Sequence, residues 1–308
     1  MSGTTEIAWT DRVWNPVVGC TRVSAGCDHC YAFALHDKRH VAWKRGRWDA
    51  APAQYHEPFS RVQLLPDRLT DPLRWRKPAR IFVNSMSDLF HPDVPDEFID
   101  RVFAVMALSP QHTFQVLTKR PERMREYLSD TLRAYEPGAW HVTAGLIRQA
   151  AQSLTGTWQV FPEPLPNVWL GTSAEDQKRA DERIPELLAC PAAVRFVSLE
   201  PLLGAVDLTR VNLGNGDTGD CLNHRATDIW TGAGDTSRNW GKIHWVIVGG
   251  ESGPGARPCD IAWIRSVVQQ CQAAGVAVFV KQDSGSKPGL QGRIPDELWI
   301  KEFPGGGR

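Results

Sequence analysis

The chain has 308 residues, of which 42% are hydrophobic, and this suits one large α/β domain or two small domains with a substantial core. Its 35 lysines and arginines balance its 35 aspartates and glutamates, which excludes a global attraction to nucleic acid, so any such contact must be local. No apolar run approaches the roughly 20 residues that a membrane-spanning helix requires. The first residues carry neither a basic nor an apolar signal region, so we expect a cytoplasmic protein that contacts no membrane.

Short apolar runs alternate with helical patterns along the chain. The runs lie at 13–18, 81–84, 113–117, 168–171, 195–199, 245–248 and 276–280. The helical patterns lie at about 30–42, 95–108, 121–134, 175–189 and 260–274. Continuous apolarity is typical of parallel strands that are covered on both faces. The repeated strand–helix units therefore predict an α/β fold with a parallel sheet or barrel, and we expect one domain over residues 1–308.

Three of the seven cysteines lie close together in one loop: Cys20, Cys27 and Cys30. The other four are scattered over the second half of the chain, which does not suit a secreted disulfide framework and favours a reducing compartment. Three thiolates can hold three irons of a 4Fe-4S cube and leave one iron open. Zinc is the alternative metal, because one nearby histidine would complete a site of three cysteines and one histidine. The candidate histidines are His29, His36 and His40.

The segment from Lys38 to Trp48 combines five fixed positive charges with two tryptophans. Cations interleaved with aromatic rings suit phosphates and stacked bases. A basic helix end that passes into a solvated loop gives the same pattern, so both interpretations stay open. Residues 74–77 and 119–120 would extend a basic surface.

Polar or charged side chains follow six of the seven apolar runs. In a parallel α/β barrel the active site forms at the carboxyl ends of the strands, so these residues are candidates for binding and catalysis. They are Ser85, Ser87, Asp88, Thr118, Lys119, Arg120, Thr172, Ser173, Glu175, Glu200, Glu251, Ser252, Lys281, Gln282 and Asp283, together with the glycines Gly249 and Gly250 that precede Glu251. Charged members are preferred, because buried charges at a barrel mouth must be paired or bound to a ligand. The preferred members are Asp88, Glu200, Glu251 and Lys281.

The glycine pair Gly249 and Gly250 has two interpretations. Without side chains, its backbone N–H groups can approach a ligand while the Glu251 carboxylate accepts hydrogen bonds. A tight turn from strand to loop requires the same residue type.

Two stretches interrupt the alternation of strands and helices. Residues from about 135 to 166 form an insertion that contains proline and glycine, and residues 212–242 are rich in turn formers. The second insertion follows a strand, so it is either a lid over the active face or a solvated loop. Cys221 and His224 within it are a weak metal pair.

The sequence resembles the radical S-adenosylmethionine (SAM) superfamily, and within it a phage and bacterial three-cysteine-motif family that is similar to spore photoproduct lyase. Six motifs carry this resemblance, which covers most of the chain. They are Cys20-x6-Cys27-x2-Cys30, Phe82–His91, Leu117–Pro121, Ser198–Gly204, Val246–Pro258 and Val280–Gln282. The resemblance implies a partial (β/α) barrel of six to eight parallel strands with loop insertions, in which the cysteine loop follows the first strand.

The resemblance also implies two cofactors. A 4Fe-4S cluster would be held by the three cysteines, and SAM would bind its open iron through amino and carboxylate groups. An electron donor would then drive the splitting of SAM into methionine and a 5'-deoxyadenosyl radical, which removes hydrogen from an unactivated carbon. The protein would supply placement and exclusion of water.

The chain departs from the commonest pattern of the superfamily in two respects. Its first cysteine spacing is six residues rather than three, and the Gly-Gly-Glu that normally follows the second strand follows a late strand here. Residues Ser85, Ser87 and Asp88 stand in that position and are expected to bind the SAM amino group, whereas Glu251 would face the ribose or the substrate. The other expected cofactor-binding residues are Ser173, Glu175, Gly249 and Gly250. The expected catalytic residues are Lys281, Glu200 and Lys119.

Relatives of this family occur in phage genomes, some beside enzymes that decorate thymidine, and this suggests a modified nucleobase in DNA as the substrate. A concrete version is the isomerisation of glycinyl-thymidine from nitrogen attachment to carbon attachment. Lys281 or Lys119 would hold the substrate carboxylate. A phage-encoded protein would act in the host cytoplasm.

Three alternative functions stay open on the sequence. A repair enzyme of the photoproduct-lyase type would use the same cluster, with Cys259 as a candidate hydrogen donor. An RNA-modifying enzyme would use the same radical chemistry and basic surface. A zinc-stabilised nucleic-acid-binding module would bind without turnover.

Overall fold

The structure is a computed structural model that describes residues 3–129, 140–214, 217–223, 225–226 and 241–306. Its strands are β1 (Gly3–Thr4), β2 (Arg12–Trp14), β3 (Val17–Val18), β4 (Gln63–Leu64), β5 (Arg80–Val83), β6 (Thr113–Thr118), β7 (Val168–Ser173), β8 (Val194–Leu199), β9 (Val211–Gly214), β10 (Asp217–Asp220), β11 (Arg225–Ala226), β12 (Trp245–Val248) and β13 (Ala277–Val280). Its α-helices are α1 (Tyr31–Lys44), α2 (Asp96–Ala107), α3 (Pro121–Ser129), α4 (Trp140–Thr155), α5 (Gln177–Ala189) and α6 (Ile261–Ala274).

The main sheet is a half-barrel of seven parallel strands within the described part of the chain, so the predicted α/β partial barrel is confirmed. Its hydrogen-bonded order is β1-β2-β5-β6-β7-β8-β12-β13, and the short β1 is antiparallel to β2. Every residue of β12 is buried, as expected for a parallel strand that is covered on both faces. Smaller antiparallel sheets are formed by β3 with β4 and by β9, β10 and β11.

The chain divides into two compact units, residues 1–120 with 130–168 and residues 121–129 with 169–308. In the first unit, β5 lies between β2 and β6 and is parallel to both. Trp14 of β2 packs near Phe114 of β6, with 5.8 Å between the ring centroids. The buried face of α2 packs against α4. The single-domain organisation expected from the sequence stays a prediction.

The core of the second unit is built around Trp245 of β12, which is fully buried. Four aromatic rings lie 5.2–6.2 Å from it between ring centroids: Trp169, Phe196, Phe279 and Phe303. The indole N–H of Trp245 donates to the Glu302 carbonyl oxygen at 2.9 Å. A buried tryptophan is stable here because its apolar body is packed and its polar N–H is satisfied.

Helix α6 follows its sequence signals closely. The Asp260 carboxylate accepts a hydrogen bond from the Ala262 N–H at 2.8 Å, as an N-cap should. Gly275 ends the helix in the left-handed conformation with a φ of 64°. Helix α3 begins where expected, and the rest of the predicted 121–134 helix lies outside the described residues.

The two predicted insertions contain regular structure. Helix α4 occupies the middle of residues 135–166, and Ile147 and Ala151 form its buried stripe. This stripe is too short to predict a helix from the sequence, because the neighbouring glycines favour a loop. Strands β9, β10 and β11 lie within residues 212–242, while 227–240 and His224 lie outside the described residues. The lid interpretation and the Cys221–His224 metal pair therefore stay predictions. No helix in the described ranges has the length and apolarity needed to cross a membrane.

Substituting alanine at two glycines should change stability in opposite directions. A Cβ atom at Gly171 of β7 would lie 2.5–2.6 Å from ring atoms of Phe196, so we expect Gly171→Ala to destabilise by about 1–3 kcal/mol through overpacking. Gly145 in α4 has open space, so we expect Gly145→Ala to stabilise by about 0.5–1 kcal/mol through helix propensity. Urea denaturation followed by circular dichroism measures both. Equal effects would contradict the packing of β7 on β8.

Candidate functional site

The cysteine loop lies in the first unit between β3 and α1, and its start is hydrogen-bonded to the segment after β5 and to Phe59. The Gly19 N–H donates to the Met86 carbonyl oxygen at 3.1 Å, and the Cys20 N–H donates to the Phe59 carbonyl oxygen at 2.9 Å. Cys27 ends a 3-10 helix that begins at Ala25. The loop therefore stands beside the residues that follow β5.

The three cysteines of the loop are free and half-buried. Cys20 and Cys30 pack against one apolar cluster of Val18, Ala32 and Phe59. Burial and the nearby negative charge of Asp88 raise the pKa of Cys20 to about 11. The metal-free Cys20 is therefore a neutral thiol at ordinary pH.

The guanidinium of Arg120 contacts the first cysteine and the residue after it. Its Nη1 donates to Cys20 Sγ at 3.7 Å. Its Nη2 donates to the carbonyl oxygen and the hydroxyl oxygen of Thr21 at 3.0 and 2.9 Å. The Thr21 hydroxyl also lies 2.8 Å from His91 Nε2. Arg120 thus fixes the beginning of the cysteine loop to the end of β6.

The carboxylate of Asp88 accepts four hydrogen bonds from donors of the chain itself. The Phe90 N–H and the Thr118 hydroxyl donate to Oδ1 at 3.0 and 2.7 Å. The Lys119 N–H and Arg120 Nη1 donate to Oδ2 at 3.1 and 2.9 Å. A carboxylate offers about four lone-pair positions, so Asp88 holds the ends of β5 and β6 together. Its expected contact with the SAM amino group stays a prediction.

The serines after β5 also have partners within the first unit. The Ser85 hydroxyl exchanges hydrogen bonds with the Asn15 side chain at 3.1–3.2 Å. The Ser87 hydroxyl donates to the Val17 carbonyl oxygen at 2.9 Å. Both serines therefore help to join the segment after β5 to β2 and β3, and binding of SAM by their hydroxyls stays a prediction.

Asn84 is a candidate ligand-binding residue that sequence reasoning did not single out. Its side chain is 2% exposed, and neither the amide nitrogen nor the amide oxygen has a partner in the described residues. Its φ of 61° lies in the left-handed region, which is uncommon outside glycine and concentrates at functional sites. A buried unsatisfied amide needs a ligand or ordered water. The only sequence signal is an asparagine directly after a strand.

Lys119 also follows β6 and is half-buried. In the part of the chain that the structure describes, no carboxylate is paired with its ammonium group. This side chain can therefore receive an anionic group without giving up an existing ion pair.

In the second unit, Glu200 and Lys281 are brought together although 81 residues separate them along the chain. Lys281 Nζ donates to Glu200 Oε1 at 2.5 Å, and Gln282 Nε2 donates to the same oxygen at 3.2 Å. The two charged side chains are 16% exposed. The expected catalytic residues of this unit thus form a largely buried ion pair at the ends of β8 and β13.

The two predicted cofactor-binding carboxylates of the second unit, Glu175 and Glu251, are paired with arginines. Arg183 donates to Glu175 Oε2 at 3.1 Å and to the Ser173 carbonyl oxygen at 2.8 Å. Arg257 forms a bidentate contact with Glu251 at 2.5 and 3.0 Å. These pairs fix the loops after β7 and β12, so contacts of Ser173, Glu175 and Glu251 with a cofactor stay predictions.

The glycine pair after β12 is explained by close packing of backbones. A Cβ atom at Gly250 would lie 2.4 Å from the Ser284 nitrogen. The N–H groups of Gly249 and Gly250 donate to the carbonyl oxygens of Leu199 and Gln282 at 3.2 and 2.9 Å. Both donors are therefore used within the fold, which favours the turn interpretation of this pair.

The basic segment after the cysteine loop presents cations rather than aromatic faces. Trp43 stacks on His56 with 4.4 Å between ring centroids, and Trp48 lies 5.3 Å from the Tyr55 ring. Arg39 also contacts the Tyr55 ring. The exposed cations are Lys38, Lys44, Arg45 and Arg47. Electrostatic contact with phosphates is available here, whereas the two tryptophans already serve packing.

The remaining metal and thiol candidates are placed as follows. His36 is fully buried, and its Nε2 lies 3.0 Å from the Glu57 carbonyl oxygen. Nδ1 of His40 lies 2.9 Å from the Tyr55 carbonyl oxygen, and His29 is exposed. Cys259 is 1% exposed, and burial raises its pKa to about 12.

The three thiols fit a 4Fe-4S cluster by donor type, because soft thiolates on one loop are the usual ligands of such clusters. Within the described residues, histidine, cysteine, aspartate and glutamate side chains form no group of three or more at metal-binding distance. Residues 21–24 of the loop have no helix or strand, so rotation of side chains and adjustment of this segment would have to bring the sulfurs together.

The chain belongs to a family of proteins of unknown function, DUF5131, whose model matches residues 4–296. No curated protein and no solved structure matches the chain. The family description assigns no activity, so a function must be argued from the site itself.

The raised pKa of Cys20 predicts slow alkylation of this thiol in the metal-free protein. Asp88→Asn removes a negative charge that raises this pKa, so the thiolate forms at lower pH. We expect modification at pH 9 to accelerate by about tenfold for each unit by which the pKa falls. Iodoacetamide labelling with peptide mass spectrometry measures the rate at Cys20, and buried Cys190 reports any general unfolding. An unchanged Cys20 rate would contradict the influence of Asp88.

The ion pair of Glu200 and Lys281 should show energetic coupling in a double-mutant cycle. Glu200→Gln and Lys281→Met each leave the other group uncompensated, so we expect a coupling of about 1–3 kcal/mol in the free energy of unfolding by urea. The matched control is the exposed pair of Arg265 and Glu297, for which we expect less than about 1 kcal/mol. Equal coupling in both cycles would contradict the importance of burial.

Proposed function

We propose that the chain is a radical SAM enzyme that rearranges a modified nucleobase. The observation that carries this proposal is the loop of three half-buried thiols, whose start is hydrogen-bonded to the segment that follows β5. Active sites of parallel barrels form at this end of the strands. The family resemblance of the same loop supplies the chemistry.

The three cysteines would hold a 4Fe-4S cluster with one iron left for SAM. When bound, the cluster would supply the electron that splits SAM into methionine and a 5'-deoxyadenosyl radical, which takes hydrogen from an unactivated carbon. The residues of the chain would bind and orient the reactants and exclude water. Packing of Cys20 and Cys30 against the apolar cluster supports the last of these roles.

Asn84 would bind a polar group of the ligand. Its buried amide offers a donor and an acceptor that have no partner in the described residues. Asp88 would act indirectly, by holding the segment after β5 in position through its hydrogen bonds to β6. The hydroxyls of Ser85 and Ser87 would do the same toward β2 and β3.

Lys119 would hold the carboxylate of the substrate more readily than Lys281. The ammonium of Lys119 has no ion pair in the described ranges, whereas a carboxylate that reached Lys281 would compete with Glu200 at 2.5 Å. Glu200 and Lys281 are proposed as a proton-sharing pair of the second unit, since their contact is short and largely buried.

The partner is proposed to be a nucleic acid, with the exposed cations of the basic segment as its contact. Lys38, Lys44, Arg45 and Arg47 can each neutralise a phosphate in a protein whose overall charge is balanced. The basic segment begins within α1, the helix that starts directly after the cysteine loop. A nucleic-acid strand held by this segment would therefore lie close to that loop.

The concrete substrate that we propose is glycinyl-thymidine in DNA. Removal of a glycine α-hydrogen gives a radical that both the amine and the carboxylate stabilise. Migration of the thymine methylene from the glycine nitrogen onto that carbon breaks the carbon–nitrogen bond, forms a carbon–carbon bond and leaves the radical on nitrogen. The isomerisation is redox-neutral, so a hydrogen atom must be returned to that nitrogen at the end. A cytoplasmic location is proposed, because all seven cysteines are free thiols and the cluster needs an electron donor.

Anaerobic reconstitution tests the proposal. We expect the protein to gain visible absorbance from bound iron and sulfide and, with SAM and dithionite, to release 5'-deoxyadenosine. Cys27→Ala should lose both properties, whereas Cys190→Ala, which changes a buried thiol of the second unit, should keep both. A colourless protein that binds zinc and releases no 5'-deoxyadenosine would instead establish the binding-module alternative.

Nucleoside mass spectrometry of the same reaction tests the substrate. We expect the N-linked glycinyl-thymidine of modified DNA to be converted into its C-linked isomer of equal mass and different retention time. Unchanged DNA together with altered RNA would overturn the substrate assignment and leave the radical chemistry in place.

A further inference from the structure

Arg120 has a position that no part of the proposed function has used. Its guanidinium meets the Asp88 carboxylate at 2.9 Å and Cys20 Sγ at 3.7 Å through the same nitrogen, Nη1. The side chains of Arg120 and Asp88 are 11% and 7% exposed, so both charges are largely removed from water. A charge pair with this burial acts on a neighbouring sulfur with little screening.

We propose that Asp88 and Arg120 are a positioning pair that sets the reduction potential of the cluster through the Cys20 sulfur. This inference rests on the proposed function, since it assumes that Cys20 is a cluster ligand. Hydrogen bonds to the sulfurs and local charge are known determinants of cluster potential. The two residues carry opposite charges, so their effects on the reduction potential have opposite signs.

Arg120 stabilises the reduced cluster. Reduction adds one negative charge, and a cation that donates a hydrogen bond to a ligand sulfur lowers the free energy of the more negative state. The carboxylate of Asp88 opposes this effect and also fixes the guanidinium in place. The balance of the pair therefore determines how readily the cluster accepts the electron.

The direction of the Arg120 donor is fixed by its remaining hydrogen bonds. Nη2 is held by both oxygens of Thr21, so Nη1 remains directed at Asp88 and Cys20. A lysine could supply the charge but not two donor nitrogens in a rigid plane. Substitution of Arg120 by lysine therefore keeps the positive charge and removes the planar pair of donors.

Redox titration of the reconstituted protein, followed by electron paramagnetic resonance, tests the proposal. We expect Arg120→Gln to lower the equilibrium constant for cluster reduction by about tenfold, which is about 59 mV for a one-electron couple. We expect Asp88→Asn, which is nearly isosteric, to raise the potential. Arg120→Lys should give an intermediate shift, and Arg125→Gln, which removes an arginine paired with Glu186 in the second unit, should give no shift.

Potential shifts of opposite sign for Arg120→Gln and Asp88→Asn would support the proposal. If the two residues served only to hold the loop in place, both substitutions would disturb the same contact and would not shift the potential in opposite directions. Unchanged potentials, or shifts of the same sign, in variants that bind as much iron as the wild type would overturn it. If Arg120→Gln does not fold, the signs for Asp88→Asn and Arg120→Lys decide. A wild-type protein that takes up no cluster would overturn the proposed function itself, and with it this inference.

Discussion

The buried ion pair of Asp88 and Arg120 is the contact on which the candidate site depends. Separating two charges in a position of such low exposure leaves each uncompensated, so the pair constrains everything that is attached to it. Through Asp88 it fixes the segment after β5, and through the Arg120 contacts with Cys20 and Thr21 it fixes the start of the cysteine loop. The position of Cys20 is thus tied to a charge pair that lies outside the cysteine motif.

Carboxylates that follow strands are also paired with cations in the second unit. Glu175, Glu200 and Glu251 are paired with Arg183, Lys281 and Arg257. Charge at the end of a parallel strand predicts a ligand site, but here most of that charge first serves to hold loops, as structural ion pairs commonly do. The groups best suited to meet a ligand are then those that lack such a partner in the described part of the chain, the Asn84 amide and the Lys119 ammonium.

The cysteine loop contrasts with these fixed strand ends. It is anchored at Cys20 by hydrogen bonds and at Cys30 by the beginning of α1, while a single 3-10 turn lies between the anchors. Metal binding commonly completes the folding of such a segment, because ligands that are free to move can close around the metal. Fixed strand ends beside an adjustable thiol loop are consistent with the proposed cluster site, in which the loop would close around the metal.

The sequence by itself determined the strands of the half-barrel and most of its helices, because apolar runs, the Asp260 cap and Gly275 act through neighbours in the chain. It also determined that three thiols share one loop. Helix α4 could not be predicted from its pattern, since its buried stripe is explained by packing against α2. Only the tertiary structure decided the partners of the charged residues, which lie 32 residues apart for Asp88 and Arg120 and 81 for Glu200 and Lys281. Local periodicity encodes an element, whereas an ion pair or the left-handed backbone of Asn84 depends on which strands become neighbours.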